Sequence, residues 1–183
     1  GNLISISDVD DADAAPSSAL GDEPMQVALT ATGGVVTLSG IARLSFSFSD
    51  GNGTSAGDGT ADAAMTFRGT IAAINAALAD MTFTPALNFA GAAGLTVTTK
   101  DLGNFGSGGN LTDADTVTIN VTPINDSPVN TAPASRTIAE DLFLLFSTAT
   151  GNRIAIGDVD DADNGAAGDE LVQVALTAVN GTI

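Results

Sequence analysis

The stretch TVTINVTPINDSPVN, residues 116–130, changes character halfway along. Its first half alternates Val117, Ile119 and Val121 with Thr116, Thr118, Asn120 and Thr122. A period of two is what a strand with one face on a core requires. The second half, TPINDSPVN at 122–130, is rich in Pro, Asn and Asp and has the composition of a linker. Its prolines lack an N–H for a ladder, and Asn and Asp side chains bond to nearby backbone instead. A strand that runs straight into such a segment marks the end of a module.

Beyond this segment the chain begins its pattern again. Residues 1–13 read GNLISISDVDDAD and residues 151–163 read GNRIAIGDVDDAD, identical at ten of thirteen positions at an offset of 150. The match resumes with DEPMQVALTA at 22–31 against DELVQVALTA at 169–178, now at an offset of 147. Two collinear matches make an internal repeat of about 150 residues. The expected organisation is residues 1–124 as one repeat lacking its first strand, 125–128 as linker, and 129–183 as the N-terminal part of the next repeat.

Strand patterns recur through both parts. Ile4 and Ile6 alternate with Ser5 and Ser7, and Ile154 and Ile156 repeat the pattern. Val27 and Leu29 form a pair matched by Val174 and Leu176, with further alternation at Leu44, Phe46, Phe48 and at Leu95, Val97. Gly, Asn and Asp clusters separate these runs. The fold class predicted is all-β, a Greek-key β-sandwich of tandem repeats. One short helix interrupts it in GTIAAINAALADMTF at 69–83, with Thr70 as N-cap and Ile71, Ile74 and Leu78 on one face.

The composition narrows the function. The chain of 183 residues has 22 acidic and 5 basic residues, a net charge of −17. Nucleic acid is a poor partner for it, because binding needs a basic face that neutralises phosphates. No apolar run approaches the roughly 18–20 residues that span a membrane, so membrane insertion is not expected. Apolar residues still make up 44%, enough to build a core. There is no Cys and no His. Disulfides, thiolate zinc sites and cysteine nucleophiles are excluded, and the commonest general base is missing.

The acidic motif DVDDAD occurs at 8–13 and again at 158–163, four carboxylates in six residues each time. On an extended segment, Asp8 and Asp10 point the same way, as do Asp158 and Asp160. Carboxylates that close repel, and a divalent cation turns the repulsion into binding. All-oxygen donors on an irregular loop suit Ca²⁺ better than Mg²⁺ or a transition metal. The motif is not an EF-hand: positions 6 and 12 of the loop, which need Gly and Glu, are Asp13 and Ala19 in one copy and Asp163 and Asp169 in the other. A solvated turn with Asx hydrogen bonds is the competing reading for DVDDAD, most of all for Asp11 and Asp13. Asp113 and Asp115 read as solvated charge, and Asp50, Asp58 and Asp62 as a flexible loop, with calcium binding as the lesser alternative.

In order along the chain, these features resemble the cadherin repeat, and more closely the cadherin-like tandem repeats of giant bacterial surface and secreted proteins. INDSPVN at 124–130 is similar to the cadherin inter-domain linker, DVD at 8–10 and 158–160 to its Asp-x-Asp motif, TVTTKD at 96–101 to the strand that ends in a ligand Asp, and IAED at 138–141 to the first-strand acidic motif. The resemblance implies calcium ligands at Asp8, Asp10, Asp101, Asn125, Asp126, Glu140, Asp158 and Asp160. In that topology the strand leading into the second motif returns to the linker, so Asp158 and Asp160 should meet Asn125 and Asp126. Asp8, Asp10 and Asp101 should gather at the corresponding end of the first repeat, and Glu140 should serve a different junction.

The function expected is a calcium-stiffened structural or adhesion repeat, a stalk or spacer at a bacterial cell surface or outside the cell. Its partners would be neighbouring repeats of the same chain, with a surface glycan or protein as a further target. The alternative is a calcium-dependent glycan-binding module, with loops near Phe89 and Phe105 as its surface. An enzyme is not expected, because the acidic residues repeat with the domain, as a structural element does.

Overall fold

The computed structural model of the chain describes residues 3–9, 24–46, 57–103, 108–162 and 171–183. The chain divides into two compact units, Gly1–Thr122 and Pro123–Ile183. Among the described residues the fold is all-β with one short α-helix.

Unit 1 carries seven described strands: β1 (Pro24–Thr32), β2 (Gly34–Thr37), β3 (Ser45–Phe46), β4 (Ala64–Thr70), β5 (Thr82–Pro85), β6 (Gly91–Lys100) and β7 (Thr112–Val121). Five of them form one antiparallel sheet in the order β3-β4-β1-β6-β7. β2 and β5 form a second, two-stranded antiparallel sheet. The central strand β1 shows why the sequence chooses this arrangement. Met25, Val27, Leu29 and Ala31 are buried, while the residues between them are exposed or half-buried. Its polar face is used for cross-strand contacts: Gln26 lies opposite Arg68, whose Nε donates to Gln26 Oε1 at 2.9 Å. At the β6–β7 edge, Thr96 and Thr116 pair directly, their hydroxyls 3.0 Å apart.

The buried hydrophobic side chains among the described residues all belong to unit 1. Val27, Leu29, Val36, Met65, Phe67 and Ile74 lie at its centre. Each fully buried side chain of this kind contributes about 1.5–3 kcal/mol. Helix α1 (Ile71–Leu78) closes the core with Ile71, Ala73, Ile74, Ala77 and Leu78. Thr70 caps it as expected, its Oγ1 accepting from Ala73 N at 3.2 Å. The turn between β1 and β2 depends on Gly33, at φ +72°, where an added Cβ would lie 2.6 Å from the Phe89 ring.

Unit 2 is smaller and more open. β8 (Val129–Thr131) pairs antiparallel with β9 (Ala155–Gly157), and a short 3-10 turn follows at Asp160–Ala162. Asn152 is the buried residue that organises the loop before β9. Its Oδ1 accepts from Ser147 N at 3.0 Å and from the Thr150 hydroxyl, and its Nδ2 donates to Leu145 O at 2.9 Å.

Two strand expectations need correction. Leu3–Val9 is extended, with Ile4 and Ile6 half-buried against the core, yet it joins no sheet among the described residues. Its alternation is that of a strand, but no described strand pairs with it. Val174 and Leu176, in the segment equivalent to β1, are likewise in no described strand and are 52% and 62% exposed. Burial requires sheet neighbours, and none pair with this segment among the described residues. The loop reading of Asp62 is also revised. Asp62 is buried, its backbone exchanges hydrogen bonds with Val36, and its carboxylate accepts from Gly59 N at 2.8 Å. A buried acid needs such donors, and the loop is folded around it.

Candidate functional site

The sharpest arrangement of the motif residues lies in unit 2. The linker residues Asn125 and Asp126 are exposed, while Asp158 and Asp160 are half-buried. β9 delivers Gly157, and the chain then turns, so Asp158 and Asp160 sit where an extended segment ends. Asp160 Oδ2 accepts from the Asp126 backbone N–H at 2.5 Å. Asp158 Oδ1 accepts from Asp160 N at 3.2 Å, which closes an Asx turn over Val159. The Asn125 side chain donates to Asp126 O at 3.0 Å. The second DVD motif and the Asn-Asp pair of the linker are therefore brought together, thirty-four residues apart in sequence for the Asp126–Asp160 bond.

The physical cause is the antiparallel β8–β9 pair. Val129 is opposite Gly157, so the residues just before β8 and those just after β9 lie at the same end. The sequence places Asp126 three residues before β8 and Asp160 three residues after β9. Register alone brings them into reach. Glu140 is exposed in a turn with Asp141, which sits at φ +63°. It makes no hydrogen bond to this group among the described residues.

In unit 1, Asp8 and Asp101 are both half-buried and line one cavity of about 630 Å³. Asp101 follows the end of β6. Its Oδ1 accepts from Gly103 N at 2.9 Å and from Leu111 N at 2.8 Å, so this carboxylate also staples the connection between β6 and β7. Asp113 and Asp115, on β7, line the same cavity. The register explains it: Asp113 is opposite Thr99 and Asp115 opposite Val97. Both are exposed, as solvated charge should be, but they share a wall with the two motif acids. The sequence signal is the Asp-Ala-Asp alternation, which puts both on one face of a strand. Asp10, Asp11, Asp13, Asp50, Asp163 and Phe105 lie outside the described residues. Phe89 is half-buried, its ring packed against Gly33.

Asn75, on α1, belongs to no motif that sequence reasoning picks out. Its Oδ1 accepts from Ile6 N at 2.8 Å and its Nδ2 donates to Ile6 O at 2.9 Å. This two-point clamp anchors the segment that carries Asp8.

The donor set in both units consists of carboxylate, amide and backbone oxygens, which fits a hard cation and suits no soft metal. Among the described residues no three acidic side chains converge on one point. In unit 2 the potential ligands are the carboxylates of Asp126, Asp158 and Asp160 and the side-chain oxygen of Asn125. No protein-family model, curated protein or solved structure matches this chain.

Proposed function

We propose that this chain is a calcium-stiffened structural repeat of the cadherin-like, Greek-key sandwich type, acting as a stalk or spacer outside the cell. The observation that carries the reading is the hydrogen bond from the linker Asp126 N–H to the Asp160 carboxylate. It ties a linker to an acidic motif in which a second hydrogen bond, from Asp160 N to Asp158 Oδ1, holds Asp158 next to Asp160. Calcium at this place would be held by Asp126, Asp158, Asp160 and Asn125, with Asp8, Asp10 and Asp101 as the equivalent group in the first repeat and Glu140 serving a separate junction.

The mechanical consequence comes from charge. Without a cation, the carboxylates repel, and the linker is tied to the motif by the Asp126–Asp160 hydrogen bond. A bound divalent ion neutralises them and fixes the linker to the body of its repeat. Extracellular modules of this kind bind calcium at roughly 10⁻⁴–10⁻³ M, so such a chain is compliant at cytosolic calcium and stiff outside the cell. A structural role also accounts for the repetition of the motif with the domain, which catalysis does not call for.

Thermal unfolding tests it. At ten times Kd, one site adds about 1.4 kcal/mol of stability. The melting temperature is expected to rise with Ca²⁺ over chelator and over matched Mg²⁺, and the rise is expected to be smaller in Asp158→Ala/Asp160→Ala, which leaves the group of the first repeat intact. An equal rise in that variant would remove the motif from the mechanism.

A further inference from the structure

Helix α1 is apolar at seven of its eight positions, and Asn75 is the exception. Asn is a poor residue for a helix interior, so its place is explained by what its side chain reaches. The frame around it is fixed. Ile74 and Leu78 are buried in the core, Ser39 N donates to Ala77 O at 3.0 Å, and the Ser39 hydroxyl donates to Ala76 O at 2.9 Å. From that frame the Asn75 amide takes both the N–H and the C=O of Ile6. Burial along the clamped segment has a period of two: Ile4, Ile6 and Asp8 are half-buried, while Leu3, Ser5, Ser7 and Val9 are exposed. Asp8 therefore continues the inward face of the two isoleucines into the acidic motif. A slip of one residue would turn it outward and bring Ser7 into its place.

We propose that Asn75 is a positioning residue for calcium: by fixing Ile6 it sets the phase of Asp8, and so raises the affinity of the group that Asp8 forms with Asp101. This rests on the calcium reading of the first repeat. Asp101 has a staple of its own, its Oδ1 accepting from Gly103 N at 2.9 Å and from Leu111 N at 2.8 Å. Both acids line one cavity. Carboxylates that face one space repel, and a segment free to slip relieves the repulsion by turning Asp8 away. The clamp opposes that slip, so a cation meets a ligand already in place and less ordering has to accompany binding. Linkage makes the effect reciprocal: a cation on Asp8 also holds the clamp shut.

The test is a Ca²⁺ titration of the full chain by NMR, following the amides of Asp8, Asp101, Asp158 and Asp160 so that each group reports its own affinity. In Asn75→Ala, Kd read at Asp8 and Asp101 is expected to rise at least about fivefold, with Kd at Asp158 and Asp160 unchanged. Gly33→Ala is the control for lost stability. It strains the same unit at the other end of β1 from the pairing of Gln26 with Lys100, and should leave all four readings unchanged. In the unaltered chain, saturating Ca²⁺ should slow exchange of the Ile6 amide at least about fivefold relative to matched Mg²⁺. Equal Kd in Asn75→Ala, equal weakening in Gly33→Ala, or Ile6 exchange indifferent to calcium would overturn the positioning role. Calcium shifts missing at Asp8 and Asp101 in the unaltered chain would instead overturn the calcium reading of the first repeat, and the positioning role with it.

Discussion

Asn75 holds Ile6 by both backbone groups, as a neighbouring strand would. Asn is a poor helix residue, so Asn75→Ala gains roughly 0.5 kcal/mol of propensity within α1. It loses two hydrogen bonds worth about 1 kcal/mol each. A net loss of about 1–2 kcal/mol in chemical denaturation is expected, together with faster amide exchange at Ile6. Unchanged exchange at Ile6 would show that the clamp is not what holds the segment. Gly33 makes a second residue-scale case. Gly33→Ala must adopt a positive φ, which costs about 1–2 kcal/mol, and must also displace the Phe89 ring. A loss of at least about 2 kcal/mol is expected from the same measurement. Neither role is legible in the sequence. Asn75 acts on a residue 69 positions away, and Gly33 meets Phe89 only once β5 has folded beside β2.

At the scale of elements, one sequence stands in two settings. QVALTA at 26–31 is the central part of β1, flanked by β4 and β6, with Leu29 at 2% exposure. QVALTA at 173–178 is in no described strand, with Leu176 at 62% exposure. The alternation that predicts a strand is identical in both, so local pattern gives the tendency and the neighbours decide the outcome. Leu29→Ala should cost about 2–5 kcal/mol, whereas Leu176→Ala should stay within about 0.5 kcal/mol. Urea unfolding of the two variants checks this, and equal costs would mean that both copies are packed alike. The helix and its cap are readable because both depend on residues within one turn, Thr70 and Ala73. The meeting of Asp126 with Asp160 is readable for a different reason. A repeat, a linker and one antiparallel return are enough to bring them to one end. The sharing of one cavity by Asp113 and Asp115 with Asp8 and Asp101 is not, because it depends on the β6–β7 register.

At the scale of the molecule, the buried hydrophobic core among the described residues lies wholly in unit 1. Regions with few buried apolar contacts open at low free energy. Amides of β8 and β9 should therefore exchange well before those of β1 and β6, as hydrogen-exchange mass spectrometry can show; equal protection would contradict that division. The charge of −17 acts on the whole chain. Self-repulsion on that scale is relieved by any salt through screening, so a calcium effect has meaning only against magnesium at matched ionic strength. The stiffening mechanism stands or falls on whether the DVD motif beside the linker binds calcium. A calorimetric titration of the chain with Ca²⁺, with Mg²⁺ as the reference, decides it. Saturable Ca²⁺ binding is expected with Kd of roughly 10⁻⁴–10⁻³ M, weakened in Asp158→Ala/Asp160→Ala. Calcium heats no different from those of magnesium, or unaltered in that variant, would contradict the mechanism.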